Sequence, residues 1–361
     1  MAERAGRQLS LAELYRHFAD TDVQGSSPLY ERVAAAIADS PEALAVVEQA
    51  PPLKRHPTVI LASLHDQVLQ GRAPELAAAY AASDVERVGP VAVAALVACA
   101  DAVVATATAR QTQTNETGRG AVLYPAIALA AHRLGATSVG LIDVGCSAGL
   151  NLNVDLAAIR YSSGRVLGDP ASPLRLACDL VGNADVPATA MPPVVARIGV
   201  DLAPVDVGHA EDARWLRACL WPDQPERIER LEAAIGLARR SPPELITGNA
   251  LDLLADAITR VPSNALAVVT TTWALAYFEL GDRLRFLRRL DEVASQRPVA
   301  WVSGEGVGIA PGVPTRGDSR LAPHSLVGLA IGDGGRMTIE TIGRCHPHGR
   351  WLEWLTSRSE I

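Results

Sequence analysis

The run Leu141-Ile142-Asp143-Val144-Gly145-Cys146-Ser147-Ala148-Gly149-Leu150-Asn151 constrains the fold of this chain more than any other feature. Apolar strand formers lead straight into five small residues, and a helix-compatible stretch follows. A strand, a tight glycine turn and a helix in that order bring backbone close to a ligand. The helix N-terminus would add unpaired N–H groups and positive potential. The dinucleotide fingerprint G-x-G-x-x-G does not fit, because Ser147 and Leu150 stand at its second and third glycines. NAD binding is therefore disfavoured.

The texture changes close to that loop. Up to about residue 134 the chain reads as almost all helix. Leu11, Leu14, Tyr15 and Phe18 recur at helical spacing, as do Leu29, Val33 and Ile37. Pro28, Pro41, Pro57 and Pro74 stand where helices should begin, the position at which a missing N–H costs least. From Ser138 onward, short apolar runs alternate with helical patterns, which predicts βαβ units and a parallel sheet. The expected strands are Ser138–Val144, Val194–Val200, Glu244–Thr247, Ala265–Thr271 and Val299–Ser303. The expected helices are Gly149–Arg160, Ala210–Leu220 with Glu226–Arg240, Ala250–Arg260 and Asp282–Ser295. Two last runs, Ser325–Ile331 and Met337–Ile342, flank Gly332-Asp333-Gly334-Gly335 and predict a hairpin. Tyr161–Pro193 reads as an inserted loop or small hairpin. The division that follows is a helical domain over 1–117 and an α/β domain over 118–361.

Charge and composition exclude some functions. A net charge of −7, from 33 basic and 40 acidic residues, argues against a general nucleic-acid binder. Aromatics at 4% leave few stacking platforms for single strands. The five cysteines are scattered without a Cys-x-x-Cys pair, which fits reduced thiols in a cytoplasm. Glu3, Arg4 and Arg7 precede Leu9 with no apolar core of a signal peptide. Val88–Ala109 is the most membrane-like stretch, but Asp101 lies inside it, so a buried helix is expected. Neither a nucleic-acid nor a membrane partner is expected.

Asp-x-Gly-x-Ser-x-Gly resembles motif I of class I S-adenosylmethionine-dependent methyltransferases, usually D/E-x-G-x-G-x-G, with Ser147 at the middle glycine. That resemblance spans about residues 118–343. It implies a Rossmann-like α/β fold, parallel strands plus a terminal antiparallel hairpin, here behind an N-terminal all-helical domain. Nearly the whole chain also resembles a bacterial family known as domain of unknown function number 2332. The shared segments are Thr114-Asn115-Glu116-Thr117-Gly118-Arg119, the glycine loop, Gly199-Val200-Asp201-Leu202, Trp221-Pro222 and His346-Pro347-His348-Gly349.

The methyltransferase resemblance implies S-adenosylmethionine as cofactor and a small-molecule acceptor. Gly145, Ser147 and Gly149 would shape the loop around the methionine part. Asp143 would hold the loop or meet the cofactor's amino group. An acid ending the second strand would accept both ribose hydroxyls; Asp201 is preferred over Asp169. Asn249 would accept from the adenine amino group or cap the helix that follows. Thr271 would line the cofactor, and Thr272, Trp273 and Arg119 the acceptor pocket, since ligands lie beyond the carboxyl ends of parallel strands. Glu305, between two glycines, is expected to face that crevice as general base, unless it caps a loop or pairs with an arginine. Glu116 and Tyr277 are the other catalytic candidates.

A rival reading uses the same residues. Gly145-Cys146-Ser147-Ala148-Gly149 is a literal G-x-S-x-G, the nucleophile elbow of α/β-hydrolases. Ser147, Asp318 and His346 or His348 would form the triad. Against it stand the helical half that precedes the elbow, the lack of a His-Gly-Gly segment, and Asp143, which has no role there. A third class is a catalytically silent cofactor-fold protein serving as sensor or scaffold. Cys345-His346-Pro347-His348 lacks a second Cys/His pair for zinc, and no metal is expected. With Met337–Ile342 as the antiparallel last strand, this segment is expected at the end of the sheet opposite the cofactor, as a structural lock with Trp351 and Trp354.

Overall fold

Pro28, Pro41, Pro57 and Pro74 each open a helix in the computed structural model, which describes residues 9–355. The helices are α1 (Leu11–His17), α2 (Pro28–Asp39), α3 (Pro41–Glu48), α4 (Pro57–Leu69), α5 (Pro74–Ala81), α6 (Val88–Ala98) and α7 (Ala100–Ala109). Ser27 and Ser40 accept the N–H groups of Tyr30 and Ala43 and so cap α2 and α3. Tyr15, Leu29, Val33, Ile37, Ile60, Leu64 and Leu76 form the core of this helical unit. The apolar stretch Val88–Ala109 breaks at Cys99 into α6 and α7, bent by 83°. Among the described residues no single helix is long and apolar enough to cross a membrane.

The helical unit comprises residues up to Thr114 together with His209–Glu229. The second segment, which the sequence division leaves in the α/β part, supplies α9 (Ala210–Ala218), while α8 (Gly120–Arg133) belongs to the other unit. α9 lies on α4, where Trp215 packs with Ala62 and Ala218. Trp215 Nε1 donates to the Gln111 carbonyl at 2.8 Å, and Arg214 pairs with the buried Asp66 at 2.7 Å. Helix α10 (Pro225–Arg240) then carries the chain out of the helical unit.

The second unit holds α8 (Gly120–Arg133), α11 (Ala250–Thr259), α12 (Leu280–Ala294) and an eleven-stranded sheet. The strands are β1 (Val139–Val144), β2 (Ala158–Tyr161), β3 (Val166–Gly168), β4 (Arg175–Val181), β5 (Val194–Asp201), β6 (Glu244–Thr247), β7 (Leu266–Thr272), β8 (Val299–Gly306), β9 (Ser325–Gly332), β10 (Thr338–Cys345) and β11 (Trp351–Trp354). Their order is β3-β2-β4-β11-β10-β9-β8-β7-β1-β5-β6. All neighbours within β6-β5-β1-β7-β8 are parallel. After β1 the chain builds β2, β3 and β4 at the far edge, then β5 and β6 on one side of β1 and β7 and β8 on the other. The gap between β1 and β7 is thus a topological switch point, where open α/β sheets place their ligands. Ile142, Val144, Val269 and Trp301 pack with α11 and α12 on one face. α8 packs across β7, β8 and β9.

Three expectations are corrected. No α-helix spans Gly149–Arg160. A short 3₁₀ segment, Leu150–Leu156, follows the glycine loop and leads directly into β2. The helix-dipole contribution expected there is therefore missing. The insertion 161–193 is more than a loop, since β3 and β4 extend the sheet beyond β11. Finally, β9 is the strand antiparallel to β8, and β10 is antiparallel to β9. β10 therefore runs in the direction of β8, and His346-Pro347-His348 emerges at the same end as the carboxyl ends of β1, β5, β7 and β8.

Candidate functional site

The site is built around Asp143, the fifth residue of β1. Its register partner on β7 is Thr270, whose hydroxyl donates to Asp143 Oδ1 at 2.7 Å across the switch point. Asp143 is 3% exposed. Burial pushes its carboxyl up to about 6, opposed by the Thr270 hydrogen bond and by Arg119.

Arg119, just before α8, is also buried. Its Nε donates to the Pro347 carbonyl at 3.0 Å and its Nη1 to the Thr272 carbonyl at 3.0 Å. One guanidinium thus ties the segment after β10 to the end of β7. Burial pushes Arg119 below the usual arginine range, offset by Glu116, Glu305 and Asp143 nearby. The two polar motifs from opposite ends of the unit also interlock by backbone. A Cβ on Gly118 would strike the His348 carbonyl, and one on Gly349 would strike Gly118. Glu116, 3% exposed, accepts from Gly118 N at 3.1 Å and lies 3.8 Å from His348 Nδ1 and 3.9 Å from Arg230. His348 N donates to His346 Nδ1 at 2.9 Å.

The glycine loop follows β1 with Gly145, Ser147 and Gly149 all at positive φ, +71°, +51° and +65°. Ser147 thus occupies a left-handed position where glycine is the residue free of strain. Asn115 latches the loop: its Nδ2 donates to Ser147 Oγ at 2.7 Å and its Oδ1 accepts from Ala148 N at 3.2 Å. Asp201 ends β5 beside the loop. Its Oδ2 accepts from Ser147 N at 2.8 Å and its Oδ1 from Ala203 N at 2.9 Å. Leu202, immediately after, is 75% exposed. Asp169 follows β3, which lies at the far edge of the sheet from β5. Asn249 caps α11, its Oδ1 accepting from Leu251 N at 2.9 Å.

Other expected residues fall differently. Thr271 is buried on the α12 face and accepts from Trp301 Nε1 at 3.0 Å, so it lines no crevice. Trp273 has a left-handed backbone, φ +57°, rare for a bulky residue, and its Nε1 donates to Ser325 Oγ at 3.0 Å. Tyr277 is 87% exposed. Glu305 does not face the crevice. It is 1% exposed, on the sheet face of Val299 and Trp301, with Oε1 accepting from Ala274 N at 3.0 Å and Leu275 N at 3.1 Å. It therefore fixes the turn that carries Trp273. Its Oε2 is buried without a partner, and burial pushes the carboxyl up to about 7. Asp318 pairs with Arg344 at 2.6 Å and His324 at 3.1 Å, and Arg344 holds its carboxyl below the usual range. Asn115 carries no role in the sequence analysis; its spacing of four residues from Arg119 in one polar run is the available signal. Among the described residues no three His, Cys, Asp or Glu side chains cluster to hold a metal.

A search of the curated proteins returns no match. A family profile described as an uncharacterized protein conserved in bacteria (DUF2332) matches residues 12–354, and the chain belongs to that family.

Proposed function

We propose that this chain is an S-adenosylmethionine-dependent methyltransferase acting on a small molecule. The observation that carries the reading is the arrangement at the switch point: a left-handed glycine loop ends β1, and Asp201 ends the adjacent parallel strand beside it. The donor set fits such a cofactor. Each Asp201 oxygen accepts one backbone N–H and keeps a lone pair, so the carboxylate can also accept a vicinal diol. Leu202 offers an exposed apolar surface for an adenine ring. Asp143 supplies a buried acceptor for an ammonium group. The cofactor brings an activated methyl group on a sulfonium. The chain aligns the acceptor and takes its proton. For that proton the pair Glu116 and His348 replaces Glu305: His348 is partly exposed and backed by a buried carboxylate. Glu305 and Tyr277 take no direct part, the first positioning the Trp273 turn, the second standing in solvent.

The hydrolase reading has less support. An oxyanion hole needs the N–H after the nucleophile, and Ala148 N already donates to Asn115. Asp318 is committed to Arg344 and His324.

Calorimetric titration of S-adenosylmethionine and S-adenosylhomocysteine tests the proposal. Saturable binding is expected, weakened about tenfold or more by Asp201→Asn, which keeps one acceptor oxygen but loses the charge. A folded protein that binds neither molecule would overturn the methyltransferase reading and leave the scaffold and hydrolase readings. Labelling of Ser147 by a fluorophosphonate would favour the hydrolase instead.

A further inference from the structure

Arg119 is buried, makes no ion pair, and spends Nε and Nη1 on carbonyl oxygens. Its Nη2 carries no hydrogen bond. Carboxylates lie in its wider surroundings but none is paired with it. A buried guanidinium cannot shed its proton, so leaving it without a counter-charge is unfavourable. Chains keep such an arrangement where an anion completes it.

The surroundings point the same way. A cavity of about 10 Å³, room for one oxygen-sized group, is lined by Arg119, Thr272, Ser325 and His346 and by Val122 and Leu123 of the first turn of α8. The amino end of that helix adds positive potential. Ser325 is 1% exposed; its Oγ accepts from Trp273 Nε1, and its own proton meets no acceptor. Two buried donors thus line one cavity, each with a proton that meets no acceptor. The glycine loop cannot serve in their place, because the N–H groups of Ser147 and Ala148 are engaged by Asp201 and Asn115.

We infer that Arg119 Nη2 and Ser325 Oγ bind one oxygen of a ligand carboxylate at the carboxyl ends of β7 and β8. The methyltransferase reading is needed only to say which molecule brings it: the amino-acid end of the cofactor, or the acceptor.

The test is thermal melting of the full chain in acetate, with acetamide as its neutral isostere and chloride at equal ionic strength. Acetate is expected to raise the melting temperature saturably, and acetamide and chloride are not. Ser325→Ala removes one hydroxyl without disturbing the Arg119 carbonyl bonds, and should weaken the acetate response about tenfold. Arg119→Gln, if it melts cooperatively, should abolish it. Equal responses to acetate and acetamide, or an undiminished acetate response in Ser325→Ala, would overturn the inference. Two further titrations identify the source. If S-adenosylmethionine outbinds 5′-methylthioadenosine and Ser325→Ala erases the difference, the carboxylate is the cofactor's. If acetate still binds under saturating S-adenosylmethionine, it is the acceptor's. Acetate binding without cofactor binding would refute the methyltransferase reading alone, and the reverse would refute only the carboxylate site.

Discussion

Glu305 shows how one side chain can be read correctly as unusual and wrongly as reactive. Alternation along β8 puts residue 305 on the face of Val299 and Trp301, inside the α12 layer. Extending that strand two residues past Ser303 would have revealed it from sequence. Its carboxyl titrates at about 7, above the ordinary 4.5, because burial disfavours the charge. The folded chain then keeps a proton that the unfolded chain has released between those values. This contribution to stability is full below about 4.5 and is lost as pH rises to about 7. Urea unfolding should therefore show stability falling from about pH 5 to pH 8, and Glu305→Gln should flatten the fall by on the order of 2 kcal/mol. An unchanged slope would assign the proton elsewhere. Glycines give a second residue-scale expectation. Gly118→Ala and Gly349→Ala should each cost about 2–4 kcal/mol in denaturant midpoint at constant slope, because the new Cβ meets backbone that cannot move aside. Gly335→Ala, where a Cβ meets nothing within 4 Å, should stay near wild type.

At the scale of elements, the central question is what holds the glycine loop without a following α-helix. Asn115 and Asp201 do so from two sides. Asn115→Ala is expected to weaken S-adenosylmethionine binding about tenfold in calorimetry while changing stability by roughly 1–2 kcal/mol. Ser147→Gly loses the Asn115 Nδ2 bond but relieves a left-handed serine and keeps the Ala148 and Asp201 contacts, so both should change little. Strands β1, β7 and β8 were legible because each is a mostly apolar, buried run between turn residues, as a doubly covered parallel sheet requires, and β5 and β6 as shorter apolar runs between turns. The starts of α2, α3, α4 and α5 were legible from proline alone. β2, β3, β4 and β11 were not, because they are short and depend on partners far away in sequence: Trp351 pairs with Asp179, and Ala158 with Arg175. The direction of β10 was missed for the same reason. A hairpin's sequence fixes that two strands are antiparallel, yet which of them joins the sheet is decided by tertiary pairing. That single choice moved His346 and His348 from the opposite end of the sheet to the candidate site.

At the scale of the whole chain, the helical unit is assembled from two separate stretches. Trp215→Ala should destabilise it by about 3–5 kcal/mol, because a large side chain 2% exposed leaves a cavity against α4. Circular dichroism on heating should locate that loss in the helical signal. A fragment cut after residue 117, the division expected from sequence, should fail to melt cooperatively. Supplying residues 209–229 as a peptide should restore part of the transition. The same excursion dictates an order of events on the ribosome. The first 114 residues emerge long before Trp215 does, and chain growth at about 5–20 residues per second makes the wait on the order of ten seconds. During that interval the nascent helices leave the face of α4 that receives α9 uncovered. The half that is made first is therefore the half that is finished later, and its completion waits until β1 to β5 have already been synthesised.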